Sequence, residues 1–186
     1  MPSTKIIFLT GYRATGKTTV GKLIAAAQSG RCIDTDDCVE SAAGQSIAEI
    51  FASDGEQKFR DLETDWLRRV VESAEDAAAG EGMTVVSLGG GAILRPQNRE
   101  LIREAGPCVW LTASASTLAK RLSADQSTAT RRPSLTELPA EQEIATVLAE
   151  RLPLYREAAD FEIATDEKTP DQLAASILRW LAKTES

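Results

Sequence analysis

Hydrophobic residues along the chain gather in five short runs, KIIFLT (5–10), RCID (31–34), MTVVSL (83–88), PCVWLT (107–112) and FEIAT (161–165). Continuous apolar runs of this length read as buried strands. Between them the spacing turns helical. Val20, Leu23, Ile24 and Ala27 recur at helical intervals in KTTVGKLIAAAQS (17–29), and DDCVESAA (36–43) reads as a helix that stops at Gly44. Residues 46–79 read as two helices broken near Asp54-Gly55, the second placing Phe59, Leu62, Trp66 and Val70 on one face. Further helices are expected over 97–105, 115–122, 140–157 and 170–183.

Strands that are apolar along their whole length and alternate with helices indicate a parallel sheet covered on both faces. The expected architecture is therefore a three-layer α/β/α domain around a five-stranded parallel sheet. In such folds ligands collect at the carboxyl ends of the strands. That rule puts GYRATGKTT (11–19), DTDD (34–37) and GGGA (89–92) along one rim. Residues 123–139, rich in polar residues, Thr and Pro, form the one long segment of that character, which inside a compact domain is usually functional or disordered.

Composition narrows the chemistry. A chain of 186 residues suits a single domain over residues 1–186, large enough to bury about 70% of the surface its unfolded form exposes. There is no histidine, which removes His-based zinc sites, Ser-His-Asp triads and Cys-His pairs. Cys32, Cys38 and Cys108 lack CxxC spacing and read as small core residues. A formal charge of −7 argues against a general nucleic-acid binder, so any anion must be caught by local cations. No apolar run approaches the roughly 18 residues of a membrane span, and no secretory signal is visible, so a cytoplasmic location is expected by default.

Gly11-x4-Gly16-Lys17-Thr18, set between an apolar strand and a helix, has the spacing and context of a phosphate-binding loop. Backbone N–H groups across Ala14, Thr15, Gly16, Lys17, Thr18 and Thr19 and the helix N-terminus would face the phosphates of ATP. Lys17 would reach the outer phosphates and the Thr18 hydroxyl could ligate Mg²⁺. If Ala14 needs a positive φ, its Cβ costs about 1 kcal/mol, less than several charge-assisted phosphate contacts return. Asp34 and Asp36 follow the second strand two residues apart and would share a face if strand geometry persisted. Two carboxylates there suit magnesium and a hydroxyl acceptor. The alternative, an N-cap for the next helix, explains one of Asp34, Asp36 and Asp37.

Taken in order, GYRATGKTT, DTDDCVE, SIAEIFASDGEQKFRDLE, SLGGGAIL, RRPSL and RLPLYREAAD resemble the motifs of the shikimate kinases over nearly the whole chain. The Asp-x-Asp, Gly-Glu-x-x-Phe-Arg and triple-glycine segments together set that family apart from nucleotide monophosphate kinases and gluconate kinases. The resemblance implies ATP-dependent phosphorylation of the 3-hydroxyl of shikimate, with Mg²⁺ as cofactor. It implies Asp36, Arg60, Gly90 and Arg151 as shikimate contacts. Shikimate carries a carboxylate and three hydroxyls, so Arg60 and Arg151 can supply forks and Asp36 an acceptor. Gly90 and Gly91 would let backbone N–H groups approach. Glu63, three residues after Arg60, can hold that arginine. Phe51, Phe59 and Pro133 could wall the ring, although an aromatic on a helix face is as often plain core.

The resemblance further implies a mobile lid over about 123–135, substrate-binding helices over about 36–73, Arg132 reaching the ATP phosphates, Arg121 beside the adenine, and a monomer. RRPSL replaces the commoner Arg-Pro-Leu-Leu and the lid is a few residues longer than in compact members, so Arg131 and Arg132 could exchange roles. The roles that follow are charge stabilisation by Lys17, Arg132 and Mg²⁺, metal binding by Thr18 and Asp34, and orientation or deprotonation of the acceptor by Asp36. Two rivals are a kinase of the same architecture with another acid as acceptor, and a nucleotide-binding module without catalysis.

Overall fold

The protein is described by a computed structural model covering residues 5–76, 82–124 and 139–184. The strands are β1 (Ile6–Thr10), β2 (Arg31–Asp34), β3 (Thr84–Ser87), β4 (Cys108–Thr112) and β5 (Phe161–Ala164). They form one parallel sheet in the order β2-β3-β1-β4-β5. Parallel neighbours need crossovers, and the helices supply them. These are α1 (Lys17–Ala27), α2 (Thr35–Ala43), α3 (Ile47–Glu75), α4 (Pro96–Ala105), α5 (Ala115–Ala124), α6 (Ala140–Ala158) and α7 (Pro170–Thr184). All five expected strands and the expected helices are present, with ends shifted by a residue or two, except that the helix expected to reach 79 ends at Glu75, with 77–79 outside the described residues.

Alternation along β1 explains why its run is continuously apolar. Ile7 and Leu9 point to one face, where Val85, Val109, Leu111 and Ile163 meet Val20 and Ile24 of α1 and Leu173, Ile177 and Leu181 of α7. Ile6 and Phe8 point to the other, where Val86 and Cys108 meet Leu67, Val70, Val71 and Ala74 of α3 and Ile102 of α4. Full burial of each such side chain is worth about 1.5–3 kcal/mol, so neither face of the strand tolerates a polar residue cheaply. Because β1 lies between β3 and β4, its carboxyl end opens at the point where the chain runs outward in both directions.

The helix that follows β2 begins sooner than strand geometry would allow. Asp34 Oδ1 accepts from the Asp36 backbone N–H at 3.0 Å, capping α2 at once. Asp36 therefore sits on a helix, and the expectation of two carboxylates on one strand face is replaced by a strand end and a helix start. Gly44, at φ 65°, ends α2. The Ser46–Glu49 capping box starts α3, and Gly55, at φ 80° and ψ 170°, breaks it where a break is expected. The expected single face after that break divides: Phe59, Leu62 and Trp66 pack toward α2, whereas Val70 packs on the sheet.

Candidate active site

The phosphate loop folds as its spacing predicts. Gly11, Ala14 and Gly16 have φ of 144°, 62° and 92°. A side chain on Gly11 would strike the Leu111 carbonyl. Ala14 accepts the left-handed backbone with its Cβ in place, a cost of about 1–2 kcal/mol. The Thr15 hydroxyl donates to the Tyr12 carbonyl at 2.8 Å, and Lys17 Nζ donates to the carbonyls of Gly11 and Tyr12, each at 3.0 Å. Helix α1 has no side-chain cap and no acidic residue in its first turn, so its N-terminal N–H groups and positive dipole end favour an anion. Thr19 is exposed on that turn.

Beside the loop, three side-chain oxygens converge. Thr18 Oγ1 donates to Asp34 Oδ2 at 2.6 Å, Ser87 Oγ donates to the same oxygen at 2.9 Å, and the two hydroxyls are 3.2 Å apart. Hard oxygen donors at a phosphate loop fit Mg²⁺, which commonly takes one or two protein oxygens and fills its shell with water and substrate phosphate.

The acceptor side is organised by Gly89, Gly90 and Gly91, each facing a different neighbour. A Cβ on Gly89 would lie 2.5 Å from both Asp36 Oδ1 and Glu63 Oε1, so both carboxylates converge on this glycine. Gly90 abuts the phosphate loop, with Gly11 O and Arg13 N each 3.6 Å from where its Cβ would stand. A Cβ on Gly91 would collide with the Arg60 guanidinium. Thr35 Oγ1 accepts from the Gly89 N–H at 2.8 Å and fixes the turn to the start of α2.

Arg60 is 8% exposed. Its NH1 donates to Glu63 Oε2 at 2.9 Å, while NH2 and Nε donate to Glu56 Oε1 at 3.1 and 3.3 Å. Burial works against its charge, but Glu63 and then Glu56 outweigh it and hold the guanidinium pKa above its usual value. Arg151 NH1 and the Tyr155 hydroxyl both donate to the Gly90 carbonyl, at 3.0 and 3.2 Å. Tyr155 stacks on Trp110 with centroids 5.2 Å apart, and burial pushes its pKa up to about 12.

Most expected site residues thus share the rim at the carboxyl ends of β1, β2 and β3. Three of these residues find partners within the protein. Phe59 has no exposed surface and belongs to the core beside Val39, Ile47 and Ile50, with Arg60 stacked 5.1 Å over its ring. Phe51 is half-buried against it at 5.0 Å, so the partly accessible aromatic of the pair is Phe51. Arg121 donates to the Ala14 carbonyl at 3.3 Å and to Thr165 at 2.9 and 2.8 Å, tying the loop to the end of β5. Arg131, Arg132, Pro133 and most of the lid segment lie outside the described residues.

Several contributors carry no sequence signal of their own. Ser87 is an ordinary strand-end serine until the fold sets it against Asp34, and Tyr155 reaches Gly90 only through packing of α6. Gly89 was recognisable as part of the triple glycine, but which carboxylates require it was not. Arg13, 3.9 Å from the buried Glu143 of α6, links the loop to that helix.

A phosphate-binding loop beside a glycine turn that bears on a buried arginine and two carboxylates marks the chain as a phosphate-loop small-molecule kinase. Known proteins place it more closely. The shikimate kinase family model matches residues 13–182. A shikimate kinase of Rhodopirellula baltica is 43% identical over 173 residues, covering 93% of this chain and 88% of that protein. One from Oleidesulfovibrio alaskensis is 43% identical over 176 residues, covering 95% and 96%. The structure of a shikimate kinase from Acinetobacter baumannii in complex with shikimate superposes with a TM-score of 0.86 at 31% identity, covering 98% of this chain and 95% of that one. The chain belongs to the shikimate kinase family.

Proposed function

We propose that this single-domain enzyme transfers the γ-phosphate of ATP to the 3-hydroxyl of shikimate, giving shikimate 3-phosphate and ADP. This is a step toward chorismate and the aromatic amino acids. The observation that carries the reading is the glycine turn, which joins the phosphate loop at Gly90 to the Asp36–Glu63 pair at Gly89 and to Arg60 at Gly91. Donor and acceptor sites therefore share one rigid wall.

Roles follow from these positions. The backbone N–H groups at the start of α1, which has no side-chain cap, and the ammonium of Lys17 hold and neutralise the phosphates; Lys17 must exchange its loop carbonyls for phosphate oxygens to do so. Thr18 and Asp34, with Ser87 beside them, would hold Mg²⁺, which when bound with ATP supplies further neutralisation of the phosphate oxygens. Arg60 binds the substrate carboxylate, held by buried Glu63. Asp36 accepts from the reacting hydroxyl and aligns its oxygen on the γ-phosphate, and Gly90, Gly91 and Arg151 complete the acceptor wall. Arg132 and a lid over about 123–135 are assigned the closing of the site over the phosphates, which excludes water and spares ATP from hydrolysis. Phosphoryl transfer is loose in most analyses, so positioning and charge neutralisation carry the catalysis.

Among the described residues no helix is long and apolar enough to cross a membrane. A monomer in the cytoplasm, as the family resemblance implies, suits the rest, because ATP is available there and the free thiols of Cys32, Cys38 and Cys108 stay reduced there. The test is coupled ADP release with Mg-ATP in the presence of shikimate, quinate or gluconate. Release that depends on shikimate supports the reading; release with gluconate alone, or with no acceptor, contradicts it.

A further inference from the structure

Two carboxylates already hold Arg60 through three of its five N–H groups. Its three nitrogens donate to two glutamates, Glu63 through NH1 and Glu56 through NH2 and Nε. A substrate carboxylate approaching this fork therefore meets one positive charge that already has two negative partners. The glutamates are not equivalent. Glu63 is 1% exposed and cannot leave without stranding a buried charge, whereas Glu56 is 61% exposed and has solvent to turn into. Glu56 also follows Gly55 directly, the residue at φ 80° where α3 is broken.

Resting on the reading of Arg60 as the carboxylate receptor, we propose that Glu56 is a displaceable stand-in for the substrate's carboxylate. With the acceptor site empty, Glu56 orients the Arg60 fork and partly neutralises it. On binding, the substrate carboxylate takes the NH2 and Nε side of the fork and Glu56 swings into water, while Glu63 keeps NH1. The exchange swaps one carboxylate for another, so the charge around Arg60 is conserved, and a ligand without a carboxylate has nothing with which to displace the glutamate. Glu56 thus keeps the empty fork oriented and sets the affinity for the substrate's carboxylate by competing with it.

The test compares Glu56→Gln, Glu56→Asp and Arg60→Ala in steady-state kinetics with shikimate and with its methyl ester. Glu56→Gln is expected to lower the shikimate KM roughly two- to fivefold, the size of an exposed ion pair, and to leave the ATP KM unchanged. It should not lower the KM of the ester, which cannot compete for the fork, and Glu56→Asp should move the shikimate KM less than Glu56→Gln does. A shikimate KM that rises or stays fixed in Glu56→Gln, with Arg60→Ala still raising it at least tenfold, overturns the exchange and leaves the role of Arg60 standing. A shikimate KM unchanged in Arg60→Ala removes the receptor and the exchange together.

Discussion

Thr18 Oγ1 and Asp34 Oδ2 lie 2.6 Å apart, and this contact joins the first turn of α1 to the end of β2. The other oxygen of Asp34 caps α2 through the Asp36 N–H. A single carboxylate thus orients the hydroxyl proposed to bind the metal and the helix that carries Asp36.

Asp34→Asn separates these two duties. Asparagine caps a helix about as well as aspartate, so stability should hold, but the lost charge weakens the proposed metal corner. The expected result is a 10–100-fold loss in apparent Mg²⁺ affinity, read from activity against Mg²⁺ concentration, with little change in the thermal midpoint. An unchanged Mg²⁺ requirement would take Asp34 out of that corner.

Lys17→Ala removes an ammonium that the loop carbonyls of Gly11 and Tyr12 hold in place. Turnover should fall by about 10²–10³-fold, as when one preorganised donor to a developing charge is lost, while circular dichroism stays native. Near-parental kcat would contradict the charge role.

Gly89→Ala inserts a methyl 2.5 Å from Asp36 Oδ1 and Glu63 Oε1; Glu63 is buried and held by Arg60, so the half-buried Asp36 is the side chain that yields. The fold should survive, but Asp36 must move. A displacement on the order of 1 Å is expected to cost about 10²-fold in kcat/KM for shikimate. A variant with parental kcat/KM would mean that the geometry of this pair does not matter for the reaction.

Alkaline pH should destabilise the enzyme, and Tyr155 should account for part of the loss. Burial raises its pKa in the folded state from 10.0 to about 12, offset in part by Arg151. The unfolded chain therefore releases this proton first. The stabilising contribution is complete below pH 10 and is lost as pH rises toward 12, on the order of 2–3 kcal/mol in all. Cys32, pushed by burial from 9.0 to about 11, adds a loss that begins near pH 9. Urea denaturation between pH 8 and 11.5 should show this decline, and Tyr155→Phe should flatten its upper part. An identical slope in the variant would refute the assignment to Tyr155.

The sheet and its crossovers were legible because buried parallel strands leave an unmistakable record: KIIFLT and PCVWLT have no polar face to hide. The phosphate loop was legible because its chemistry lies in consecutive residues. What the sequence left open depends on distance in space. Asp34 could be read as a cap or as a metal ligand, and the structure shows the cap through Oδ1 and sets Oδ2 against the Thr18 hydroxyl. Phe59 and Phe51 look alike on a helix face, yet only packing against α2 separates a core ring from a half-exposed one. Tyr155 and Ser87 acquire their partners from elements 65 and 53 residues away in the chain.

The most direct measurement is ³¹P NMR of the products formed from Mg-ATP and shikimate. The account predicts a phosphate monoester coupled to the C3 proton of shikimate, accumulating in step with ADP. Inorganic phosphate in place of the ester, or an ester at another hydroxyl, would contradict it.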